Sequence, residues 1–392
     1  MKFGVRRNLF FLCFYLVKFL PAQDSLNYKN SFTPELNTYF GYLIKAYPGV
    51  PQSNYVSLNS VGFYWQTNGK DAWHQHFLFP KFGFDFMYGS FNNQQELGYS
   101  LSISPCWEFK SKKANKKWRF KTGFGAAYFN KPFNAVTNPT NFYIGGNYTN
   151  MTVFNLFWKH TIKRGIHLKY GLAAIHSSNG HTSLPNAGMN MVSAHIGLSF
   201  LNKNAVQKSR VDSINKKLSY TLKAGIGYHE FGSTSKPVGG PLYPSYHISL
   251  WLNKPYSKIG LLQFGFTGAY YTSFYDYIVS QEVYATNQKI KSSTGLLFAG
   301  HELVFGKLSF VAQAGIYFYN PFYIKQKKLE GSWDNIPDKL EAFNTNRIGL
   351  MYYPFKKSNS LVNLKNQFHL GLFLKANLAQ ADLFEYSLGF TF

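Results

Sequence analysis

Alternation of apolar residues with polar or small ones along nearly the whole chain is the feature that most limits its fold. In WRFKTGFGAAY (118–128), Trp118 and Phe120 lie on one face of an extended chain, and Arg119 and Lys121 lie on the other. The same order recurs in KLSFVAQAGIYF (307–318) and in the C-terminal FEYSLGFTF. A period of two residues is typical of β-strands. The sequence therefore predicts an all-β protein.

Composition narrows the class of β-protein. Aromatic residues make up 19% of the 392-residue chain and charged residues only 15%, while the mean hydropathy is −0.22. Past the N-terminus, no apolar run approaches the length of a membrane helix. These features predict a transmembrane antiparallel β-barrel of the bacterial outer membrane, with about 12–16 strands. The final strand, which ends in Phe392, resembles the signal read by the barrel assembly machinery.

The N-terminus is typical of an exported protein. Basic residues precede the apolar stretch NLFFLCFYLVKFL, and a cleavage site follows Ala22. We therefore expect residues 1–22 to be a signal peptide and 23–392 to form a single barrel. The polar segment 203–216 could separate two eight-stranded units, but we favour one barrel because a tandem pair needs two closures. Removal of Cys13 would leave Cys106 alone, which excludes an intramolecular disulfide.

The charge indicates an anionic partner. The net charge is +24, and four basic residues lie in the predicted signal peptide, which leaves +20. The basic residues are scattered among aromatic strands, so we expect no nucleic acid partner. The phosphates of lipopolysaccharide and other outer-membrane lipids are the nearer counter-charge. The oligomeric state is left open.

One hairpin, AAIHSSNGHTSLPNAGMN (173–190), places polar side chains on an apolar face. The apolar face of the strand before the hairpin continues into His176 and Ser178, and the apolar face of the next strand includes Asn190. Strand parity places the hairpin at the extracellular end. Because polar groups that face lipid cost free energy unless they are paired, their convergence suggests a site on the outer wall.

These residues have the chemistry of a serine esterase. His176 would take the proton of Ser178, and the amide oxygen of Asn190 would accept the other imidazole N–H. Asn179 and the backbone near Gly180 are candidate oxyanion donors. The competing interpretation is a polar rim that hydrogen-bonds to lipid headgroups. No cofactor is expected.

A metal site is also not expected. His74 and His76 in WHQH could ligate a metal, but the sequence shows no acidic partner for them. We interpret this segment as part of an aromatic rim.

The hairpin resembles the PagL-type lipid A 3-O-deacylase (acyloxyacyl hydrolase) family. That family carries His-x-Ser-Asn, a Pro-Asn-x-Gly segment and an acid fourteen residues after the His. The pattern is matched here at His176, Ser178, Asn179, Pro185, Asn186 and Gly188. The third catalytic position falls on Asn190, where founding members have Glu. The resemblance extends over about residues 35–202 and implies removal of an acyl chain from lipid A by a lipid-facing Ser-His-Asn triad.

Two alternatives stay open at this stage. The motif also resembles outer-membrane phospholipase A, which has His-x-Ser-Asn-Gly and an Asn at the same fourteen-residue distance. Under that alternative the substrate is a phospholipid and calcium is a possible cofactor. The other alternative is a non-enzymatic porin or adhesin, because a sixteen-stranded barrel leaves a wide lumen.

Overall fold

The chain folds into antiparallel strands that close into two separate barrels. The computed structural model describes residues 31–69, 71–111, 117–201, 217–233, 237–356, 364–378 and 380–392. The predicted signal peptide (1–22) and the segment 203–216 lie outside the described residues. The all-β barrel class predicted from alternation is confirmed.

The first barrel contains eight strands in sequential order, closed by pairing of β1 with β8. Its strands are β1 (Ser31–Ile44), β2 (Val56–Gln66), β3 (Lys81–Ser90), β4 (Tyr99–Lys110), β5 (Trp118–Phe129), β6 (Tyr148–Lys163), β7 (Ile166–Ser178) and β8 (Met189–Phe200). A short helix, α1 (Ala72–His76), lies between β2 and β3.

The second barrel is built the same way and is closed by pairing of β16 with β9. Its strands are β9 (Ser219–Glu230), β10 (Leu242–Pro255), β11 (Gly260–Tyr271), β12 (Ser293–Phe305), β13 (Leu308–Tyr319), β14 (Asn344–Tyr352), β15 (Gln367–Asn377) and β16 (Gln380–Thr391). Its connections contain α2 (Thr272–Ser280), α3 (Gln288–Lys291), α4 (Pro321–Leu329) and α5 (Ile336–Phe343). Within the described ranges, every helix is too short or too polar to cross a membrane.

The expectation of one barrel over 23–392 is wrong, and its physical premise explains why. That expectation treats a second closure as an additional cost in free energy. Sixteen strands form sixteen ladders whether they close once or twice, so two closures leave no additional strand edge unpaired. The lumen of an eight-stranded barrel is narrow enough for side chains to fill it, whereas the lumen of a sixteen-stranded barrel is too wide.

Both lumens are filled by buried side chains, with polar groups packed beside apolar clusters. In the first barrel the Glu35 carboxylate lies 2.8 Å from the Lys81 ammonium and 2.5 Å from that of Lys169. In the second, Glu385 pairs with Lys223 and with Arg347. All of these side chains are buried. The wide lumen on which the porin alternative rested is therefore absent from the described structure.

The two barrels touch at both of their ends. At one end, which carries the two-residue turns 164–165 and 306–307, the Phe77 ring stacks on Phe305 with centroids 4.7 Å apart. At the other end, the hairpin between β7 and β8 contacts the end of β9. Outer-membrane barrels have short periplasmic turns and longer extracellular loops, so this hairpin belongs to the extracellular end.

Candidate active site

The pairing of β7 with β8 places His176 directly opposite Asn190. Their side chains lie on the outer wall, on the same faces as the exposed Leu172 and Val192. His176 Nδ1 is 2.8 Å from Asn190 Oδ1. Because the amide oxygen only accepts, Nδ1 carries the proton and donates it. This tautomer leaves the lone pair of the imidazole on Nε2, where a base would need it.

Ser178 is the next outward-facing residue of β7 after His176. Its side chain is only 4% exposed, and its Oγ accepts a hydrogen bond from Asn150 Nδ2 at 3.3 Å. Among the described residues, its hydroxyl is not hydrogen-bonded to His176. The two side chains are nevertheless neighbours, since His176 Cε1 and Ser178 Cβ lie 2.9 and 3.5 Å from the position that a Cβ on Gly188 would occupy.

Gly188 is required at this point for two reasons. Its φ of 74° lies in the left-handed region that disfavours side chains. A side chain there would also push the imidazole of His176 away from its present position. The glycine of the sequence motif therefore makes room for the histidine ring.

The hairpin is rigidified by its own polar side chains. Asn179 Nδ2 donates to the Ser183 carbonyl at 2.5 Å, and Asn179 Oδ1 accepts from the His181 N–H at 3.0 Å. Asn186 Oδ1 accepts from the Asn179 N–H at 3.0 Å. The Asn179 amide therefore already stabilises the hairpin, and an oxyanion role for Asn179 or Gly180 stays a prediction. The NH₂ group of Asn186 is a further candidate donor.

Asn150 was missed by sequence reasoning. It lies on β6, opposite Ser178 in the β6–β7 ladder, and its side chain is 8% exposed. Its Oδ1 has no hydrogen-bond partner among the described residues. The available signal was that Asn150 lies at the extracellular end of β6, on the same outward face as Phe154 and Leu156. The sequence does not show that β7 pairs with β6 so that Asn150 lies opposite Ser178, and without that pairing the outward-facing Asn indicates no role.

Below the polar residues, the outer wall has a shallow apolar depression. Ala174 and Ala194 contribute small side chains to its surface, and Phe154, Leu172 and Val192 line it beside them. Its upper edge is formed by Ala174 and Val192, the next outward-facing residues of β7 and β8 after His176 and Asn190. The site is thus a polar cluster at the top of an apolar, lipid-facing surface.

The second barrel contains another grouping of catalytic residue types. His229 Nε2 is 2.8 Å from Ser273 Oγ, and His229 Nδ1 is 3.8 Å from Asp382 Oδ1. Ser273 is only 1% exposed, however. The Asp382 carboxylate accepts a hydrogen bond from the Tyr271 hydroxyl and forms an ion pair with Lys375. This grouping is consistent with a sealed polar network.

His74 lies in α1 and is buried. It pairs with Asp71, an acidic partner that sequence reasoning overlooked, at 3.6 Å. In the part of the chain that the structure describes, no three His, Cys, Asp or Glu side chains are grouped so that they could hold a metal ion.

Two family models match the chain, one for each barrel. Residues 59–199 match "Lipid A 3-O-deacylase (PagL)", and residues 218–329 match "Acyloxyacyl hydrolase, C-terminal domain". The first match covers β2 to β8 and contains the hairpin. No curated protein matches the chain.

Solved structures are similar only at a low level. The outer membrane enzyme PagL is 18% identical and has a TM-score of 0.30, with 42% of this chain and 97% of that chain covered. CdiB from Acinetobacter baumannii is 10% identical with a TM-score of 0.19, with 92% of this chain and 60% of that chain covered. OccAB1 from Acinetobacter baumannii is 9% identical with a TM-score of 0.23, with 94% and 97% covered.

The resemblance drawn from the hairpin motif is therefore confirmed by the family model over residues 59–199, within the expected range of about 35–202, and the outer membrane is the location of the protein. Through its first barrel, the chain belongs to the lipid A 3-O-deacylase (PagL) family of ester hydrolases, and its second barrel carries an acyloxyacyl hydrolase C-terminal domain.

Proposed function

We propose that this protein is a serine esterase that removes an acyl chain from lipid A at the outer wall of its first barrel. Ser178 is the nucleophile, His176 is the general base and Asn190 orients the imidazole. The observation that carries this proposal is the 2.8 Å contact between His176 Nδ1 and Asn190 Oδ1. It fixes the tautomer whose free nitrogen, Nε2, can accept the Ser178 proton.

The reaction has two steps. His176 Nε2 takes the hydroxyl proton as Ser178 Oγ attacks the ester carbonyl carbon, and the imidazolium then gives that proton to the leaving alkoxide. Water, activated by His176, hydrolyses the acyl-enzyme and releases the fatty acid. Asn190 is neutral, so it stabilises the imidazolium less than a carboxylate would. Asn179 and the Gly180 N–H are the predicted oxyanion donors, and the amide groups of Asn150 and Asn186 are further candidates.

Formation of the reactive pair requires a small movement. Ser178 Oγ now accepts from Asn150, and a rotation about χ1 of Ser178 would bring its proton toward Nε2. Hydrogen bonds of catalytic groups are often long in the absence of substrate and shorten when it binds. The acyl chain of the substrate would lie in the apolar depression beside Ala174 and Ala194.

Lipid A suits the charge of the protein better than a zwitterionic phospholipid does. Outside the predicted signal peptide the chain has a net charge of +20, and lipid A carries phosphates. We therefore expect hydrolysis of lipopolysaccharide to exceed that of phosphatidylethanolamine, and the preference to shrink as ionic strength rises.

The experiment is mass spectrometry of lipid A and of released fatty acid after incubation with purified full-length protein. Ser178→Ala and His176→Ala should abolish release from lipopolysaccharide. Ser177→Ala is the matched control, because Ser177 is the adjacent serine but is fully buried on the lumen side. Faster release from phosphatidylethanolamine would indicate a phospholipase instead. No release from either lipid by folded protein would favour a non-enzymatic barrel.

A further inference from the structure

The second barrel holds the far side of the hairpin that connects Ser178 to Asn190. The Glu230 N–H, at the end of β9, donates to the His181 carbonyl at 2.8 Å. One oxygen of the Glu230 carboxylate accepts from the Leu184 N–H at 2.7 Å. The other accepts from the Gly240 N–H at 2.8 Å. One residue of the second barrel thus contacts two points of the hairpin, and it is itself anchored by the β9–β10 connection.

Two side-chain contacts join the same surfaces. His181 Nε2 donates to the Gly232 carbonyl at 3.1 Å. The Phe384 ring, on the outer face of β16, packs directly against Gly180 and fills the space that a side chain there would need. Glu230, His181 and Leu184 are all at least nine-tenths buried. A carboxylate that accepts two backbone N–H groups in a buried site makes strong, orienting hydrogen bonds.

The first barrel holds the opposite side of the hairpin. The Ala187 and Gly188 N–H groups donate to the carbonyls of Phe142 and Tyr143 at 3.1 and 3.0 Å. The hairpin therefore lies between the 130–147 connection of its own barrel and β9 of the other barrel. A shift at Leu184 would be transmitted through the Asn179–Asn186 bond to the residue that follows Ser178.

We propose that the second barrel positions the catalytic hairpin of the first, with Glu230 as the positioning residue. Turnover in one barrel then depends on a carboxylate supplied by the other. This inference rests on the proposed function, because the hairpin matters for turnover only if Ser178 is the nucleophile. It gives the second barrel a role that its sealed lumen does not provide.

The test combines amide hydrogen exchange with kinetics on the full chain. Glu230→Ala should speed exchange at 180–188 by about tenfold or more and lower kcat for a chromogenic acyl ester by about tenfold, with KM changed less than about twofold. Glu230→Gln should give a smaller effect, because the amide keeps one acceptor oxygen. Glu282→Gln, on an exposed connection of the same barrel, should change neither measurement.

A second variant keeps the test independent of Glu230 folding defects. Phe384→Ala should also speed exchange at 180–188 and lower kcat. Tyr386→Ala removes the next outward, exposed aromatic ring of the same strand and should leave both unchanged. Unchanged exchange in Glu230→Ala and Phe384→Ala would overturn the proposal, and so would faster exchange with unaltered kcat.

The two proposals can fail separately. If the wild-type protein hydrolyses no ester, the proposed function fails. Exchange at 180–188 then still decides whether the second barrel holds the hairpin, because that measurement needs no turnover.

Discussion

The Asn150 amide donates a hydrogen bond to Ser178 Oγ, 3.3 Å away across the β6–β7 ladder. The bond occupies a lone pair of the hydroxyl, so the hydroxyl proton stays available to His176 once Ser178 rotates about χ1. We predict that Asn150→Ala lowers kcat about 10- to 100-fold with little change in KM. Asn150→Asp should be worse, because a carboxylate would accept the Ser178 proton. Thr149→Ala, a lumen-facing neighbour, is the control, and an equal effect there would contradict the assignment.

Replacement of Asn190 should lower kcat less than replacement of Ser178 or His176, the other two members of the proposed triad. In the proposed mechanism Asn190 supplies orientation without charge, so Asn190→Ala should lower kcat about tenfold, against about a thousandfold or more for Ser178→Ala and His176→Ala. Asn190→Glu and Asn190→Asp should retain activity, since a carboxylate in this position also stabilises the imidazolium. The assay is release of a chromogenic acyl group in detergent. Equal losses in the three alanine variants would show that the role of Asn190 has been misjudged.

A bulky side chain in the apolar depression should select against long acyl chains. Ala174 lies on its surface, opposite Phe154 and Val192 in the two neighbouring strands. Ala174→Phe should raise KM for long-chain esters about tenfold, since several buried methylene groups would lose their contact, and leave short-chain esters nearly unchanged. Ile196→Phe, at an exposed position on β8 that does not line the depression, is the control. An equal effect on short and long esters would place the acyl chain elsewhere.

The sealed Ser273 grouping of the second barrel should be inert. Ser273 is 1% exposed and lies inside the second barrel's polar network, so we expect neither an acyl ester nor an organophosphonate to reach it. A fluorophosphonate probe should label wild-type protein and Ser273→Ala at one site per chain, and it should not label Ser178→Ala. Labelling that persists in Ser178→Ala and disappears in Ser273→Ala would reverse the assignment.

The attachment of the hairpin to the second barrel should weaken in acid. Burial lowers the pKa of His181, an effect that the facing carboxylates of Asp382 and Glu230 oppose; His229 also faces it. A detached, solvated His181 would have its ordinary pKa of about 6.5. The attached state is therefore favoured above that value, and protonation of the detached state favours release as pH falls below it.

The measurement is amide exchange at 180–188 at pH 7.5 and 5.5, corrected for intrinsic rates. Wild-type protein should show faster corrected exchange at the lower pH, whereas His181→Asn should show no such difference. Asn is the appropriate replacement because residue 181 has φ 73°, which Asn tolerates. The same acid response in His181→Asn would assign the effect to another group.

The faces of the strands could be predicted from the sequence because they depend only on alternation within each strand. Lys169 and Leu172 differ by three positions in β7, so they point to opposite faces, and the structure buries the first in the lumen and exposes the second. The placement of His176 and Asn190 on one wall followed from the same rule. The face of a side chain can therefore be inferred without knowing which strands are paired.

The closure of the barrels could not be predicted in this way. Whether β8 pairs with β1 or with β9 depends on edges that are distant in sequence, and alternation is the same in both arrangements. Asn150 and Glu230 were missed for a related reason. Each acquires its role only from a neighbour that tertiary structure supplies, Ser178 for one and Leu184 for the other.

The ion pairs that fill both lumens also have a consequence for the cell envelope. With Glu35 and Glu385 each paired with buried cations, side chains occupy the described parts of both lumens and obstruct the passage of a hydrated solute. An organism could therefore carry many copies of this enzyme in its outer membrane without loss of the permeability barrier. The amount of this enzyme could then change without a change in the control of solute uptake.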